Sequence, residues 1–484
     1  MVVSSRYTLV CRLNWTKTNA TVQSVVRPAD SEHATPAKIS IEYRMLLPED
    51  LEVSTLGRAT FPSPLELSAI QSDGLGNFVP LDAKIRYQLD PSPGAEGQEL
   101  AFHRAGPRQQ IFFDSPRISA AMVTCGGLCP GLNNVIRSCY LELRYNYGVE
   151  RILGVRHGYM GLNPASGLPL VELTNDDVEE IHKLGGTVLG TSRGAHKSNV
   201  IVDRLQKEKV DILLCVGGDG TLRGANSIYR EVARRGLQLA VVVVPKTIDN
   251  DIRYVYRTFG YSTAVEVAQD ALRCAHIEAK STVNGIGLVK LMGRHAGFIA
   301  AGAALASQDA NFVLVPEIEF PLDEFLTTLN KRIDSRGHAL IAVAEGAGRH
   351  LFGQVADQGS DASGNVKLDD IGLFLKRHIE AYFRDRQQRI TLKYIDPSYL
   401  IRSVPANAQD RILSNQLARF AVHAAMAGRT NVLMGLWNNC FVEVPLETAM
   451  RTSKRMDVEG DLWTSVILST GQPRWPAAST EHDS

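Results

Sequence analysis

Six short apolar runs recur between residues 118 and 346, separated by glycine-containing turns and helical patterns. The runs are ISAAMVTC (118–125), VDILLCV (210–216), LAVVVVP (239–245), GIGLVKLM (285–292), NFVLVP (311–316) and HALIAVAEG (338–346). Continuous apolar runs of this length are typical of parallel strands, because helices cover both faces of such a sheet. The pattern predicts an α/β fold of the doubly wound class, in which chemistry lies at the carboxyl ends of the strands.

Length, charge and cysteine usage exclude several classes of protein. A chain of 484 residues exceeds one ordinary hydrophobic core, so two domains with extensions are expected. Lysine plus arginine number 52, as do aspartate plus glutamate, and this balance argues against nucleic-acid or membrane partners. The longest apolar run, at 296–306, is shorter than the roughly 18 residues of a membrane span. The seven cysteines are scattered and favour free thiols, and Cys125 and Cys129 lack the second pair that a zinc site needs.

Residues 1–117 are polar, weakly periodic and interrupted by prolines, and we interpret them as an N-terminal extension with some strands. Residues 1–29 contain no acid but several basic, Ser and Thr residues, a pattern that resembles an organelle transit peptide. A disordered leader is the alternative. We therefore expect a cytoplasmic protein, or one of the chloroplast stroma if this segment directs import. Residues 347–369 predict a loop insertion.

The first strand end carries GGLCPGLNNVIR (126–137). Gly126, Gly127 and Gly131 allow the backbone to approach a ligand closely, and a helical stretch begins at Asn133. Backbone amides at the start of a helix bind phosphate. Alone, this motif is also compatible with a plain glycine-rich turn.

The second strand end carries GGDGT (217–221), which is followed by a helical pattern. Its glycines let the chain pass under phosphates, Asp219 is placed to bind Mg²⁺ directly or through water, and Thr221 can cap the helix and donate to phosphate. The pentapeptide occurs in several kinase classes, including lipid and NAD kinases. It therefore indicates nucleotide phosphates without identifying the acceptor.

The third strand end runs from four valines directly into KTIDND (246–251). The turn can bring Asp249 and Asp251 to one side of a substrate, where one carboxylate takes a proton and the other holds geometry or a metal ion. The alternative is an Asx-turn with solvated acids.

Cationic residues follow the next strand. GRHAG (293–297) places Arg294 and His295 after a run that contains Lys290, and cations beside a core strand are costly unless an anion binds there. His295 alone is more often structural than catalytic. The other candidates at strand ends are Glu345, Tyr399 and Arg402. A phosphate loop, a metal-binding acid, an acid pair and a cationic pocket together predict phosphoryl transfer.

Seven motifs in chain order resemble the 6-phosphofructokinase family, most closely its ATP-using plant, algal and trypanosomatid branch. They are TCGGLCPGLN, LGTSRG, VGGDGT, PKTIDNDI, KLMGRHAGF, VAEGAG and KYIDPSYLIR. The resemblance covers roughly residues 105–473 and implies two Rossmann-like lobes with the active site between them. Residues 118–265, completed by about 403–475, would form the nucleotide-binding lobe, and residues 266–402 the sugar-phosphate-binding lobe.

The resemblance also implies roles for individual residues. Asp249 would accept the proton of the fructose 6-phosphate 1-hydroxyl, with Thr247 and Asp251 beside it, while Asp219 would bind Mg²⁺ and Arg294 would neutralise charge together with Lys246 or Lys290. The residues that match the ATP loops are Gly126, Gly127, Arg193, Gly194, Gly218, Asp219, Gly220 and Thr221. Those that match the sugar-phosphate pocket are Thr247, Ile248, Asp249, Met292, Gly293, Arg294, Glu345, Lys393, Tyr399 and Arg402.

Two positions bear on the phosphoryl donor. The lysine of PKTIDND, Lys246, is common among pyrophosphate-using relatives, whereas bacterial ATP enzymes usually have glycine there. Those pyrophosphate-using relatives usually carry an aspartate at the position of Gly220, where an acid would repel the α-phosphate of ATP. We give Gly220 the greater weight and expect ATP as the donor. Tyr399 replaces a bacterial histidine, so the effector behaviour of bacterial enzymes is not carried over.

The leading hypothesis is an ATP-dependent 6-phosphofructokinase of glycolysis that uses Mg²⁺ and forms an allosteric homo-oligomer, a tetramer by resemblance. A pyrophosphate-dependent enzyme is the nearest alternative. A catalytically silent regulatory subunit is a further alternative, against which the intact Asp219, Asp249, Asp251 and Arg294 argue. A lipid or NAD kinase would share GGDGT but not PKTIDND with MGR downstream.

Overall fold

The structure, a computed structural model, describes residues 7–15, 19–28, 38–44, 46–70, 72–88, 100–194, 196–352 and 369–478. The strands are β1 (Tyr7–Trp15), β2 (Asn19–Pro28), β3 (Lys38–Arg44), β4 (Phe61–Pro62), β5 (Lys84–Arg86), β6 (Ala101–Arg104), β7 (Gln110–Ile111), β8 (Ser119–Thr124), β9 (Arg151–Val155), β10 (Leu170–Glu172), β11 (Ile212–Gly217), β12 (Ala240–Pro245), β13 (Gly285–Leu291), β14 (Phe312–Leu314), β15 (His338–Ala344), β16 (Thr391–Ile395), β17 (Val432–Trp437) and β18 (Cys440–Pro445).

The α-helices lie mainly between the strands of the larger sheets. They are α1 (Leu132–Leu141), α2 (Asn175–Val178), α3 (Ser198–Lys207), α4 (Asp219–Arg234), α5 (Tyr261–Lys280), α6 (Phe298–Ser307), α7 (Leu322–Arg336), α8 (Ile371–Asp385), α9 (Ser398–Ser403), α10 (Ala408–Met426), α11 (Leu446–Ala449) and α12 (Asp461–Thr470). Within the described ranges, no helix combines the length and apolar character needed to cross a membrane.

The chain divides into two compact units, residues 1–52 with 86–101 and residues 53–85 with 102–484. In the first unit, β1, β2 and β3 form an antiparallel sheet. The leader predicted over residues 1–29 lies partly outside the described residues, and its described parts are β1 and β2. The loop insertion predicted over residues 347–369 lies mostly outside them as well.

The larger sheet has nine strands in the order β10–β9–β8–β11–β12–β17–β18–β6–β5. Five neighbours, from β9 to β17, run parallel, whereas β10, β18 and β6 pair antiparallel. The first three predicted runs are β8, β11 and β12, and every residue of these strands is buried. The predicted α/β class is confirmed. The antiparallel β18 arises because Asn438 and Asn439, both with positive φ, close a two-residue hairpin after β17.

The second sheet has four parallel strands in the order β14–β15–β13–β16. The last three predicted runs correspond to β13, β14 and β15. The edge strand β16 (TLKYI) escaped prediction because it is only half-buried and lacks a continuous apolar run.

Each of these two sheets carries its own cluster of buried apolar side chains. Side chains of α1 and α10 pack on the nine-stranded sheet, and those of α5, α6, α7 and α8 on the four-stranded sheet. The lobe boundaries inferred from resemblance stay predictions. Within the segment 403–475, Trp463 and Val466 of α12 pack in the cluster of the four-stranded sheet rather than in that of the nine-stranded sheet. Ile248 packs against both clusters, so the turn after β12 lies where they meet.

Candidate active site

The carboxyl ends of β8, β11, β12, β13 and β15 open on a cavity of about 580 Å³ within the second unit. All eight residues expected in the ATP loops line it, as do Lys246, Thr247, Ile248, Asp249 and Asp251 after β12. The strand ends thus gather side chains that lie more than 200 residues apart in the chain.

Glycines and one lysine shape the loop after β8. Gly126 has a φ of 84°, in the left-handed region that glycine tolerates, and its carbonyl accepts a hydrogen bond from Thr191 Oγ1 at 2.7 Å. The buried ammonium of Lys246 donates to the carbonyl of Gly127 at 2.8 Å. A Cβ on Gly126 would lie 3.1 Å from Lys246 Nζ. The lysine therefore braces the glycine loop in addition to placing positive charge at the cavity.

Helix α4 starts at the cavity wall. Gly218 is its N-cap residue, and no side chain in the described part of the protein caps it. The first amides of an uncapped helix have no partner within the helix, which makes this end suited to phosphate oxygens. The expected capping role of Thr221 is wrong, because Thr221 is the third residue of the helix and is buried.

Gly220 borders open space. Apart from its chain neighbours and the nearby backbone of α4, no described heavy atom lies within 4 Å of the point where a Cβ on Gly220 would sit. By contrast, a Cβ on Gly217 would lie 1.9 Å from Thr221 Oγ1, so glycine is required there by packing. The two glycines of one motif therefore have different reasons to be glycine.

The turn after β12 is fixed by its own hydrogen bonds. Thr247 Oγ1 donates to Asp251 Oδ1 at 2.7 Å and accepts from the backbone amide of Asp249 at 3.2 Å. Asn250 has a φ of 58°, and its side-chain oxygen accepts from the amide of Thr258 at 3.0 Å. Four fully buried valines, each worth about 1.5–3 kcal/mol of burial, anchor the strand that leads into the turn. The carboxylates are therefore held in place before any ligand binds.

Asp249 occupies an unusual electrostatic position. Its Oδ1 is shielded from solvent and has no hydrogen-bond partner among the described residues. Burial, followed by the charges of Asp251 and Glu345, raises the pKa of Asp249 well above its ordinary value. The backbone N–H of Arg294 and the charge of Lys246 oppose this shift. A carboxylate with a raised pKa and an unused oxygen is suited to accept a proton.

The other ionisable groups of the cavity are shifted by the same causes. Burial, and then the charge of Asp251, raises the pKa of Asp219 to about 6. Burial likewise raises the pKa of Glu345, and burial lowers the pKa of Lys246. Both kinds of shift disfavour the charged form, because burial withdraws these groups from water.

Lys454 is a further residue at the turn that sequence reasoning missed. Its ammonium donates to the carbonyls of Val255 (2.9 Å) and Tyr256 (2.8 Å), and its backbone amide donates to the carbonyl of Asp251 (2.7 Å). Burial lowers the pKa of Lys454 to about 7. No pattern in the sequence marks SKRMD (453–457), since the contact joins segments about 200 residues apart.

Seven of the ten residues expected in the sugar-phosphate pocket line the cavity, three of them in the turn after β12. Met292, Arg294, Glu345 and Arg402 line the cavity. Gly293 shapes the backbone instead, because its φ is 128° and a Cβ there would lie 2.6 Å from the carbonyl oxygen of Ala296.

Three expected placements differ in the structure. Tyr399 is 74% exposed and lies under the guanidinium of Arg402, 4.6 Å from ring centroid to Cζ, rather than in the cavity. Lys393 pairs in register with Gly287, five residues before the cavity residue Met292, which is about 16 Å along a strand. Lys393 therefore does not reach the cavity of its own chain. Lys290 is held by Asp370 (2.6 Å) and Asp396 (2.9 Å) rather than facing a ligand.

The cavity also contains polar residues that the sequence did not single out. Arg223 follows Asp219 by one turn of α4, and its charge lowers the pKa of that carboxyl, opposing the effect of burial. The spacing of four residues on a helix was a usable signal for this residue. The others are Tyr159, Ser192, His196, Ser198, Ser227 and Ser398. These come from loops and helix faces whose convergence the sequence does not reveal.

The cavity can be tested for its fit to a divalent cation. In the part of the chain that the structure describes, no three His, Cys, Asp or Glu side chains are placed to hold a metal ion by themselves. Mg²⁺ in phosphoryl-transfer sites is usually held by one or two carboxylates together with substrate phosphates and water. Asp219 and Asp251 supply such carboxylates. The donor set fits Mg²⁺ shared with a phosphate-bearing substrate.

Comparisons with known proteins agree with this arrangement. Residues 119–425 match the family model described as phosphofructokinase. An ATP-dependent 6-phosphofructokinase of Borreliella burgdorferi is 44% identical over 88% of this chain and 97% of its own length. The ATP-dependent 6-phosphofructokinase 7 of Arabidopsis thaliana is 44% identical over 86% of this chain and 85% of its own.

Solved structures share the fold at low identity. A pyrophosphate-dependent phosphofructokinase of Marinobacter aquaeolei superposes with a TM-score of 0.60 at 18% identity, covering 75% of this chain and 94% of that one. The resemblance inferred from the seven motifs is thus confirmed, and the chain belongs to the phosphofructokinase family.

Proposed function

We propose that the protein transfers the terminal phosphoryl group of ATP to the 1-hydroxyl of fructose 6-phosphate, giving fructose 1,6-bisphosphate and ADP in glycolysis. The observation that carries this proposal is the position of Asp249. Its buried, unpartnered oxygen lies in one cavity with an uncapped helix start and two glycine loops. The names of the relatives support the choice of donor and acceptor.

On the donor side, the chain binds phosphates mainly through backbone groups. The first amides of α4 and the loops at Gly126 and Gly194 accommodate phosphate oxygens closely, and Arg193 adds positive charge. Lys246 fixes the loop at Gly127 through its hydrogen bond to the Gly127 carbonyl and adds positive charge near the phosphates.

On the acceptor side, Asp249 takes the proton of the attacking 1-hydroxyl. Its raised pKa makes it a stronger base than an ordinary aspartate, and the Thr247 and Asn250 hydrogen bonds hold it still. Met292, Arg294, Glu345 and Arg402 bind and orient the sugar phosphate, and Arg294 stabilises charge on the transferring group.

We propose Mg²⁺ as the cofactor, held by Asp219 with support from the neighbouring carboxylates. When bound, the ion supplies charge neutralisation for the donor phosphates. Asp219 orients the donor, and Asp251 is kept by Thr247 in a position to assist.

The donor is the part of the proposal that an assay tests most directly. The open space at Gly220 supports ATP, since an α-phosphate needs room there, and the hydrogen bond of Lys246 to Gly127 gives this lysine a role that needs no pyrophosphate. Purified protein should phosphorylate fructose 6-phosphate with ATP and only weakly with pyrophosphate. Strong activity with pyrophosphate and none with ATP would reverse the assignment. Inactivity with both donors would instead favour a silent regulatory subunit.

We further propose a homo-oligomer, a tetramer by family resemblance, and a cytoplasmic location. Sedimentation velocity on the full chain tests the first point, and a monomer would contradict it. A fusion of residues 1–29 to a fluorescent reporter tests the second, since import of the reporter into plastids would place the protein in the stroma.

A further inference from the structure

Two histidines face each other at the end of the four-stranded sheet remote from the cavity. His276 lies on α5 and His338 is the first residue of β15, and their Nε2 atoms are 3.3 Å apart. Glu345, at the cavity, follows His338 by seven residues, or about 23 Å along the strand. The pair is therefore separate from the candidate active site.

The partners of the other ring nitrogens fix the protonation of both rings. His276 Nδ1 lies 2.7 Å from Asp309 Oδ1, and His338 Nδ1 lies 3.0 Å from the carbonyl oxygen of Arg336. Carboxylate and carbonyl oxygens only accept hydrogen bonds, so each Nδ1 must carry the hydrogen. In the neutral rings, both Nε2 atoms then present lone pairs to each other. Two facing lone pairs repel unless a cation lies between them.

The spacing of the two rings fits a bound metal ion. The two Nε2 atoms lie 3.3 Å apart. Two nitrogens on one tetrahedral zinc ion, each at about 2.0–2.1 Å, lie about 3.3–3.4 Å apart. Their ring centroids would then lie about 5.2 Å apart, and the observed separation is 5.3 Å.

The surroundings suit a partly accessible imidazole site. The side chains of His276 and Asp309 are 17% and 27% exposed, so an ion can enter from solvent. A carboxylate that accepts from the far nitrogen of a ligating histidine orients the ring and raises its basicity.

We propose that His276 and His338 bind a divalent transition-metal ion of the zinc class through their Nε2 atoms, with water completing the coordination and Asp309 orienting His276. Imidazole ligands favour such ions over Mg²⁺, which prefers oxygen. An ion there would join α5, the turn at Asp309 and the start of β15, and would act on stability rather than on turnover.

Calorimetric titration with zinc chloride tests the proposal. Millimolar Mg²⁺ is present to occupy the cavity carboxylates. All proteins carry Cys274→Ser, which removes the exposed thiol. We expect one zinc ion per chain and a higher Tm with zinc. His276→Gln with His338→Gln should abolish both effects, and Asp309→Asn should weaken binding by about 10-fold or more. His378→Gln is the matched control. The ring of His378 packs on Phe374, with ring centroids 4.0 Å apart, and belongs to α8 rather than to the pair. This substitution should change neither zinc binding nor Tm.

Turnover at saturating substrate should stay normal in all these variants, which shows that each has folded. Zinc uptake that persists unchanged in the double variant would overturn the proposal. Absence of uptake by the parent protein would also overturn it. In that case, a Tm difference between the parent protein and the double variant that grows as the pH falls would indicate that the two Nε2 atoms share a proton instead of a metal ion.

Discussion

The protein buries charged side chains in two places: in one, opposite charges form ion pairs, and in the other, acidic side chains lie close together. Between β6, β18 and the segment after α10, Glu443 faces two guanidinium groups, with Arg108 at 3.2 Å and Arg429 at 3.3 Å. Arg108 also donates to the carbonyls of Val79 and Arg104. In the cavity, by contrast, Asp219, Asp249 and Asp251 crowd together, and their mutual repulsion contributes to the raised pKa of Asp219 and of Asp249. In the first cluster opposite charges are paired, whereas in the second like charges lie together.

The difference separates stability from activity. Removing one member of a buried ion-pair cluster costs stability, because the remaining charge is left unpaired. A crowded acid cluster is itself unfavourable in the folded protein, so removing one acid should relieve strain while it destroys function. Each variant below tests one side of this contrast.

Replacing Asp249 by serine should damage activity most. Without the proton acceptor, kcat should fall by about 100- to 10,000-fold, with little change in KM for fructose 6-phosphate. Thermal unfolding should show no loss of stability, because the repulsion with Asp251 and Glu345 is removed. Asp211→Asn, at the start of β11 away from the cavity, is the control and should keep normal turnover. Near-normal turnover in Asp249→Ser would refute the role of the base.

Glu443→Gln should show the reverse pattern. Two buried arginines lose their counter-charge, so the free energy of unfolding should fall by about 3–5 kcal/mol while kcat per folded molecule stays unchanged. Urea unfolding and steady-state kinetics measure the two effects. Glu447→Gln breaks an exposed pair with Arg230 and should shift stability by less than about 1 kcal/mol. Equal effects of the two substitutions on stability would contradict the contrast between buried and exposed ion pairs.

Lys454→Met should reduce kcat by up to about 100-fold, since the side-chain hydrogen bonds to the carbonyls of Val255 and Tyr256, just after the turn that carries Asp249, would be lost. A residue that only positions the turn should change kcat more than the KM for ATP. Lys454→Arg keeps the donors and should recover part of the activity. A large loss of stability without the kcat effect would make the lysine structural.

Gly220→Asp should raise the KM for ATP by about 10-fold or more, which requires only about 1.4 kcal/mol of repulsion. Gly220→Ala fills the same open space without charge and separates size from repulsion. If the aspartate variant binds ATP as well as the parent, this position does not select the donor.

The sequence predicted the buried strands well and the long-range contacts poorly. The strands β8, β11, β12, β13, β14 and β15 were predictable because burial on both faces leaves continuous apolar runs. Their carboxyl ends then indicated where Asp219, Asp249 and Glu345 would meet. Lys454, the pair of His276 with His338, and the Arg108 cluster depend on packing between distant segments, which no local pattern encodes.

Lys393 illustrates a different limit. Motif resemblance gave its place in the chain, but strand register determines which end of a sheet a residue occupies, and that register places Lys393 opposite Gly287. Lys246 was seen as a donor determinant, whereas the structure shows that it also braces the glycine loop. Sequence thus identifies residue types at a site more readily than their partners.

The pH dependence of turnover gives the finest test of the crowded acids. The base must be deprotonated to work, so kcat/KM should rise with pH through the pKa of Asp249, and the raised value places this limb above the ordinary aspartate value of about 4. Asp251→Asn removes a like charge, which lowers that pKa and should move the acid limb to lower pH even if kcat falls. Glu345→Gln should move it in the same direction, because Glu345 acts on Asp249 in the same sense. Asp211→Asn should leave the limb in place. If the acid limb stays at the same pH in both cavity variants, a group other than Asp249 sets it. Another residue would then be the proton acceptor.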